Sequence, residues 1–369
     1  MKRYAAIVLA LLAMGWAAVA RAQPAPPADL AGFINAYAVE NDLQGVIRVE
    51  ENGALVFHGA YGQANRAFAV PTTDDTRFRI ASITKLFTAV LILQLQDEGR
   101  LNIDDTVGRH LPDLPGEAGA RVTLRQLLNH TSGLGQLDTV SSYQEAFANG
   151  IPHYQRPMTP AALLANCCTG ALATEPGAAF NYNNADYILL GAVIEGVTGK
   201  PWEQVLSERI LAPLALADTG VARWDAIVER LAPTYTFRDD TRTLVTDMPV
   251  YFENWSASGA MYSTAADLAV FADALYGGRL LKPASLDQLL TPGLDDYGLS
   301  VWSYSFERGG RTWHVAQRPG SVMGATGVLY RLRERSVTIV LLSNTNAVDL
   351  DVFARRIADR LIDSDPPAN

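Results

Sequence analysis

Apolar positions in the first hundred residues change from a helical to an alternating period and back. Helical spacing runs from Asp29 to Glu40, and Val46 to Glu51 then alternates between apolar and polar residues. The dipeptide Asn52-Gly53 follows, and Ala54 to Gly59 is apolar again, an order that predicts two strands joined by a tight hairpin turn. A second helical stretch runs from Ile80 to Glu98, and the glycine after it is an expected helix cap.

The middle of the chain carries helical signals separated by long loops, and its end carries strands. The predicted helices between about 102 and 287 are Thr123 to Leu128, Pro160 to Leu164, Asn184 to Val197, Trp202 to Leu211 and Ala265 to Tyr276. The predicted strands are Leu299 to Phe306, Arg311 to Val315, Ala325 to Leu332 and Ser336 to Ser343, before a closing amphipathic helix from Val348 to Ile362. This order predicts an α+β fold. Both ends of the chain would build one antiparallel sheet flanked by helices, with a helical domain inserted between them.

The first 22 residues have the order of a secretory signal peptide. Lys2 and Arg3 precede an uncharged run from Ala5 to Ala20, and Ala20-Arg21-Ala22 offers a cleavage site between small residues. A membrane anchor is the alternative, but the run of about 16 residues is shorter than the ~20 of a spanning helix. We therefore expect residues 1–22 to be removed, residues 23–27 to form a mobile leader, and the mature protein to be periplasmic or secreted without a membrane span.

Composition and charge narrow the function classes. The chain has 369 residues, of which 49% are hydrophobic, enough for a large core. Without residues 1–22 it keeps 27 basic and 39 acidic residues, and this acidic balance argues against nucleic acid as a partner. Cys167 and Cys168 are the only cysteines, and because adjacent cysteines strain a bridge, we expect two free buried thiols. No metal-ligand spacing of histidines or cysteines occurs, so no metal is expected.

The first candidate catalytic motif is Ser82-Ile83-Thr84-Lys85. The chain contains only four lysines, and a Ser-x-x-Lys match is expected by chance about 0.2 times. Residues three apart on a helix share a face, so the Ser82 hydroxyl and the Lys85 amine can meet. Burial lowers the pKa of a lysine, and the neutral amine can accept the serine proton. The alternative is a structural lysine beside a capping serine.

A second candidate group is Tyr182-Asn183-Asn184, one hundred positions after Ser82. A phenol beside an ammonium group has a lowered pKa and can carry a proton between nucleophile and leaving group. This pattern more commonly marks a core tyrosine followed by a turn asparagine. The case for a catalytic role of Tyr182 therefore depends on the residues that accompany it.

Together these motifs resemble the class C β-lactamase and penicillin-binding family of serine hydrolases, which includes D-alanyl-D-alanine carboxypeptidases, D-amino-acid peptidases and carboxylesterases. The segment Leu127–Leu134 is similar to the family's Leu-Leu-x-His-Thr-Ser-Gly pattern, and further similar stretches extend the resemblance over roughly residues 30–345. It implies a β-lactamase/transpeptidase-like fold in which residues 23–365 form one catalytic unit. The α/β part would be about 28–100 and 290–365, and the helical part about 101–289.

The resemblance also implies roles for individual residues. Ser82 would be the nucleophile, Lys85 the activating amine and Tyr182 the proton shuttle, while Asn184 would contribute to substrate binding. His130 lies in a family segment and is expected to be structural, since this mechanism needs no histidine base. Four aromatic residues are candidates either to line the substrate cleft or to pack in the core: Tyr251, Trp255, Trp302 and Tyr304.

The family's third motif, Lys-Thr-Gly or His-x-Gly, is replaced here by Arg318-Pro319-Gly320. Gly320 would let substrate approach the backbone, and the N–H groups of Ser321 and Ser82 would form the oxyanion hole. Arg318 would either bind a substrate carboxylate or lie along the cleft wall in an ion pair. Pro319 has no N–H to offer a substrate, so β-lactam turnover is the activity that this departure most puts in doubt.

These residues predict acyl transfer through a serine acyl-enzyme without a cofactor. The substrate would be a small ester or a D-amino-acid peptide, with peptidoglycan as a further possibility, and an esterase or broad hydrolase is favoured because the Lys-Thr-Gly site is not intact. A carboxypeptidase, D-amino-acid peptidase or β-lactamase stays open within the enzymes, and a non-catalytic cell-wall binding or scaffold protein stays open outside them. A Ser-His-Asp hydrolase is disfavoured because no Gly-x-Ser-x-Gly pentapeptide occurs.

Overall fold

The structure is a computed structural model that describes residues 29–138, 140 and 142–363. The predicted signal peptide and leader lie outside the described residues. The helices, in chain order, are α1 Leu30–Glu40, α2 Thr84–Asp97, α3 Ala118–Arg121, α4 Leu124–Leu128, α5 Tyr143–Asn149, α6 Pro160–Leu164, α7 Asn184–Thr198, α8 Trp202–Leu206, α9 Ser256–Gly259, α10 Ala265–Tyr276, α11 Pro283–Leu290 and α12 Leu350–Asp363. The strands are β1 Gly45–Glu51, β2 Ala54–Tyr61, β3 Gln63–Asn65, β4 Val70–Pro71, β5 Phe78–Arg79, β6 Gly220–Val221, β7 Tyr235–Arg238, β8 Thr243–Thr246, β9 Met261–Ser263, β10 Trp302–Arg308, β11 Arg311–Val322, β12 Ala325–Leu332 and β13 Val337–Ser343.

A six-stranded antiparallel sheet in the order β10-β11-β12-β13-β1-β2 joins the two ends of the chain. The junction is the pairing of β1 with β13, in which Gly45 lies opposite Ser343. The predicted hairpin between β1 and β2 is present, and both of its turn residues, Asn52 and Gly53, have positive φ angles of 51° and 75°. This is the turn geometry that Asn-Gly favours. The predicted α+β fold is confirmed.

Strand β11 is longer than the alternating pattern indicates and ends at Val322. Its neighbour β10 reaches only to Gln317, whereas β12 pairs with β11 as far as Val322. One edge of residues 318–322 is therefore free of a sheet partner, which is where a strand tolerates Pro319. The predicted end at Val315 was wrong because proline and glycine interrupt the pattern without interrupting the strand.

The sheet separates two apolar layers. Alternate residues of one strand enter opposite layers: Val46 packs with the helical part, and Ile47 packs with α1 and α12 on the outer face. The same alternation places Leu342 of β13 on the inner face and Leu341 on the outer face. Period-two packing of this kind fixes the register of each strand.

Helix α2, which begins just after Ser82, is buried on every side. Its residues from Thr84 to Leu93 are all buried, and the Phe87 ring stacks on Phe271 of α10 with ring centroids 3.8 Å apart. A helix that is apolar all round belongs in the interior of a domain. The turn that carries the candidate nucleophile thus leads directly into a buried helix.

The middle of the chain differs from prediction in its short strands. Strands β6 to β9 have two to four residues each, and β9 pairs with both β5 and β6. Runs this short show no readable alternation of apolar and polar residues, so no strands were predicted for them. Among the helices of the described residues, none is long and apolar enough to cross a bilayer.

The expectation of two free thiols was wrong, because Cys167 and Cys168 form a disulfide. The turn that follows α6 directs both cysteine N–H groups to the Leu164 carbonyl oxygen, at 3.2 and 2.9 Å. The two cysteines are thus bonded within one tight turn, where adjacency did not prevent a bridge.

The disulfide predicts a specific alkylation pattern. The denatured, unreduced protein should take up no iodoacetamide, and the same protein after reduction should take up two alkyl groups, read as intact mass. The Cys167→Ala variant is the matched control and should react without reduction at its one remaining thiol. Alkylation of the unreduced wild-type protein at both positions would contradict the bond.

Candidate active site

Ser82 lies in a short 3₁₀ turn, Ala81–Ile83, directly before α2. The preceding Ala81 has a φ of 45°, a left-handed conformation that a residue with a Cβ adopts only at a cost of about 1–2 kcal/mol. The turn is held by the Ile80 N–H, which donates to the Met261 carbonyl oxygen at 2.9 Å. As a result the Ser82 hydroxyl stays half-buried while its neighbours on both sides are buried.

The Lys85 ammonium is fully buried and lies beside the Ser82 hydroxyl. Its Nζ is 3.1 Å from Ser82 Oγ, 2.6 Å from Asn184 Oδ1 and 2.8 Å from the Ser258 carbonyl oxygen. Burial lowers the pKa of Lys85 to about 8, an effect that the nearby Tyr182 opposes and the Arg318 charge strengthens. A neutral amine has two N–H groups and one lone pair, so Asn184 and Ser258 can accept the two N–H groups while the lone pair faces Ser82.

Asp138 fixes the orientation of the Asn184 amide. Asn184 Nδ2 donates to Asp138 Oδ2 at 2.7 Å, which leaves Oδ1 facing Lys85. The other Asp138 oxygen accepts from the Tyr154 hydroxyl at 2.6 Å. Both ends of the Asn184 side chain are therefore engaged within the protein. Sequence reasoning missed Asp138 because it lies in a loop without a motif.

The Tyr182 hydroxyl is held by the Arg318 guanidinium. Arg318 Nη2 donates to Tyr182 Oη at 2.6 Å, and because a guanidinium cannot accept, the phenolic proton must point elsewhere. The Lys85 ammonium lies 4.9 Å from the centroid of the Tyr182 ring. Tyr182 thus lies close to both the Arg318 guanidinium and the Lys85 amine.

Two opposing effects set the pKa of Tyr182. Burial raises it, while the charges of Arg318 and Lys85, together with hydrogen bonding to Lys85 and Ser82, outweigh burial and lower the pKa to about 8. Lys85 and Tyr182 lie close together, and the pKa of each is about 8. They therefore titrate as a pair that can hold or release one proton near neutral pH.

The position of Arg318 matches neither of the two expected roles. Its side chain is 1% exposed, and no carboxylate lies within 4.0 Å of it in the described part of the chain. Nε donates to the Ser82 carbonyl oxygen at 2.8 Å, and Nη1 donates to the Tyr297 hydroxyl at 2.6 Å and the Ser300 carbonyl oxygen at 2.9 Å. Arg318 is therefore a buried cation that joins β11 to the nucleophile turn and to Tyr182.

Gly320 allows β11 to pass against the nucleophile turn. A Cβ at this position would lie 2.3 Å from the Ile80 carbonyl oxygen and 3.0 Å from the Ser82 nitrogen. The space above Gly320 is thus filled by the protein's own backbone rather than left open. The next residue, Ser321, is exposed, and its N–H remains our predicted second donor of the oxyanion hole.

His130 is buried beneath Tyr182 and is bonded away from the nucleophile. Its Nδ1 lies 2.7 Å from Asp186 Oδ2, and the other Asp186 oxygen accepts from the Ser132 hydroxyl at 2.6 Å. Burial, with the charges of Lys85 and Arg318, holds the pKa of His130 well below its usual range. Burial also raises the pKa of Asp186, so this pair is stable without net charge.

The four aromatic candidates separate into wall and core residues. Trp302 lies at the site, with its ring centroid 5.6 Å from the Arg318 guanidinium. Trp255 is buried against Tyr154, and Tyr304 donates to Gln317 and packs with the outer layer of the core. Tyr251 contacts Trp224 instead. In the described residues no cluster of three or more histidine, cysteine or acidic side chains is arranged to hold a metal.

Known proteins share the sequence pattern and the fold of this chain. A family model described as Beta-lactamase matches residues 30–363. PbpX of Bacillus subtilis (strain 168) is 27% identical over 270 residues, 73% of this chain, and this chain spans only 64% of the length of PbpX. The solved structure of a D-amino acid amidase from Ochrobactrum anthropi SV3 superposes with a TM-score of 0.75 at 26% identity, covering 91% of this chain and 97% of that one.

A second solved structure, a D-stereospecific amidohydrolase from Streptomyces sp., has a TM-score of 0.72 at 28% identity and covers 88% of this chain and 95% of its own. The family match spans nearly all of the described residues, including Ser82, Lys85 and Tyr182. This chain therefore belongs to the β-lactamase family of serine hydrolases.

Proposed function

We propose that this protein hydrolyses esters or amides through a covalent acyl-enzyme at Ser82. The observation that carries the proposal is the 3.1 Å contact between Ser82 Oγ and the fully buried Lys85 Nζ. With a pKa of about 8, about a tenth of the Lys85 amines are neutral at pH 7 and able to accept the serine proton. A structural lysine would instead carry its charge to solvent.

In the first half of the reaction Ser82 Oγ attacks the substrate carbonyl and its proton passes to the Lys85–Tyr182 pair. The carbonyl oxygen becomes an oxyanion, which the N–H groups of Ser82 and Ser321 stabilise. When the tetrahedral intermediate collapses, Tyr182 gives a proton to the leaving alcohol or amine, and an acyl ester remains on Ser82. Water then attacks this ester, the pair takes its proton, and the return of that proton to Ser82 Oγ releases the acid.

An ester or a small amide is the substrate class that the site supports best. β11 supplies no side-chain hydroxyl at Pro319 and no accessible cation at Arg318, the positions at which the family's third motif differs from this chain. Amides of D-amino acids are the second candidate, because two structural neighbours are named as D-amino acid amidase and D-stereospecific amidohydrolase. Peptidoglycan and β-lactams stay outside the proposal.

We also propose that the protein works outside the cytoplasm. The predicted signal peptide supports this location, and so does the Cys167–Cys168 disulfide, since disulfides persist mainly in oxidising compartments. N-terminal sequencing of the protein from periplasm or medium tests it, with a mature end near residue 23 as the expected result.

Acyl-enzyme formation predicts labelling at one serine. A fluorophosphonate probe should add one adduct to wild-type protein and none to Ser82→Ala, measured as intact mass. The matched control is Ser305→Ala, an exposed serine on β10, which should label like wild type. A penicillin tested in parallel shows whether β-lactams also acylate Ser82. Absence of any adduct on folded wild-type protein would favour the non-catalytic scaffold instead.

The shared pKa near 8 of Lys85 and Tyr182 predicts the pH dependence. Both values are lowered to about 8, so as the pH falls below 8 a growing share of the pairs keeps both protons and cannot accept one from Ser82. The kcat/KM for a neutral ester should therefore fall about tenfold per pH unit on the acid side and level off above pH 8. Lys200→Met, an exposed lysine paired with Glu208, should keep the same profile. A flat profile from pH 6 to 9 would be incompatible with this base.

The buried position of Arg318 predicts a loss that does not depend on the substrate's charge. Arg318→Met should lower kcat for neutral esters and for carboxylate-ended peptides by similar factors, on the order of a hundredfold. It should also move the acid limb to higher pH, because the Arg318 charge lowers the pKa of both Tyr182 and Lys85. Thermal unfolding of the variant checks that it folds. A rise in KM confined to carboxylate-ended peptides would restore the carboxylate-binding role.

A further inference from the structure

A second arginine near the nucleophile, Arg79, lines a cavity. It belongs to β5, three residues before Ser82, and the cavity has a volume of about 510 Å³. Val322 and Met323 line the same cavity and directly follow Ser321 along the chain. The cavity therefore lies beside the end of β11 that adjoins the predicted oxyanion hole.

The Arg79 guanidinium has no anionic partner among the residues that the structure describes. No carboxylate lies within 4.0 Å of it, and its Nε is buried without a hydrogen-bond partner. The side chain rests on the Phe252 ring, with the guanidinium carbon 5.2 Å from the centroid. By contrast Arg77, two residues earlier, is paired with Asp218 at 2.6 Å.

An unpaired guanidinium in a buried wall is unfavourable, since desolvation is not offset by an opposite charge. Burial lowers the pKa of Arg79, and only the more distant Asp247 carboxylate opposes that effect. An anion in the cavity would supply the missing partner, and a carboxylate matches the planar guanidinium fork with two parallel hydrogen bonds.

Asp247 limits the charge that the cavity can accept. Its carboxylate also lines the cavity, where it accepts from the Thr236 hydroxyl and from the Gly324 N–H. These bonds satisfy Asp247 within the protein but leave a negative charge in the wall. A dianion such as phosphate would be repelled more strongly than a single carboxylate. The cavity chemistry therefore fits a monocarboxylate.

The free edge of β11 gives the direction in which a substrate would reach this cavity. Residues 318–322 have a strand partner on one side only, and an extended ligand can lie along the other. Tyr182, the proton donor to the leaving group, is held at the Arg318 end of that edge. The acyl part of the substrate then extends the opposite way, past Ser321 towards Val322 and Met323.

We propose that the cavity binds a carboxylate at the far end of the substrate's acyl group, with Arg79 as its partner. This inference rests on the acyl-transfer function proposed above and names the substrate class of the same site: acyl groups that end in a carboxylate. It moves carboxylate recognition from Arg318, where the third motif suggested it, to an arginine that precedes the nucleophile.

The test compares 4-nitrophenyl monoesters of adipic, pimelic and suberic acid with the same compounds carrying a methyl ester at the far end. The measured quantity is the ratio of kcat/KM, acid over methyl ester, within each variant, so a general loss of activity cancels. Wild-type protein should prefer the acid at least tenfold at one or more chain lengths, and Arg79→Gln should remove that preference. Arg66→Gln, an exposed arginine beside the cavity wall, should keep it.

A second variant covers the case in which Arg79→Gln does not fold. Met248 lines the cavity, and Met248→Glu would place a competing carboxylate against Arg79 and should abolish the preference. Hydrolysis of the methyl esters with a ratio near one at every length, or a ratio unchanged in the Arg79→Gln and Met248→Glu variants, would overturn the Arg79 site alone. Failure of every ester to show Ser82-dependent hydrolysis would overturn the acyl-transfer function, and the substrate site with it.

Discussion

The candidate active site depends on one buried guanidinium. Arg318 binds the carbonyl of Ser82, the hydroxyls of Tyr182 and Tyr297, and the carbonyl of Ser300. Of these, Ser82 and Tyr182 are 236 and 136 positions away from Arg318 in the sequence. Hydrogen bonds to a charged group contribute about 1.5–3 kcal/mol each, and an unmet buried charge costs more. Moving any one of these partners would therefore leave the buried Arg318 charge without one of its hydrogen bonds. Strand β11, the turn that carries Ser82 and the side chain of Tyr182 are held as one unit.

The same cation determines the chemistry of its neighbours. Tyr182 and Lys85 are both buried close to Arg318, and in the described residues Arg318 has no carboxylate partner to neutralise it. Its charge therefore acts on the two titrating groups, favouring loss of a proton from each. Asp138 orients the Asn184 amide, whose oxygen accepts from Lys85. A lysine or histidine in place of Arg318 could itself lose a proton near the working pH, whereas a guanidinium keeps its charge throughout.

The sequence predicted the parts of the molecule that have local causes. The hairpin followed from Asn52-Gly53, and the helix predicted over Thr123 to Leu128 is present as α4, where the structure shows a reciprocal cap between Thr123 and Gln126. Long-range pairings had no such signal. Asp138 lies in a loop, Tyr297 meets Arg318 only through the fold, and β11 continues through Pro319 because a neighbouring strand ends early. The motif residues Ser82, Lys85 and Tyr182 do come together, but the burial of Arg318 against Tyr182, Tyr297 and the Ser82 carbonyl could not be read from the sequence.

The departure at the third motif divides two tasks between different arginines. A cation on β11 that also contacted the substrate would need access to solvent. Hydration would then weaken the effect of its charge on the pKa of Tyr182. Full burial of Arg318 keeps that effect strong but removes the side chain from recognition. Pro319 and Gly320 add no polar side chain to the same strand, so β11 offers a substrate its backbone edge and little else. Discrimination among substrates must then come from the walls beyond that edge. Arg79 lies in such a wall, and in the described part of the chain no carboxylate lies within 4.0 Å of its guanidinium.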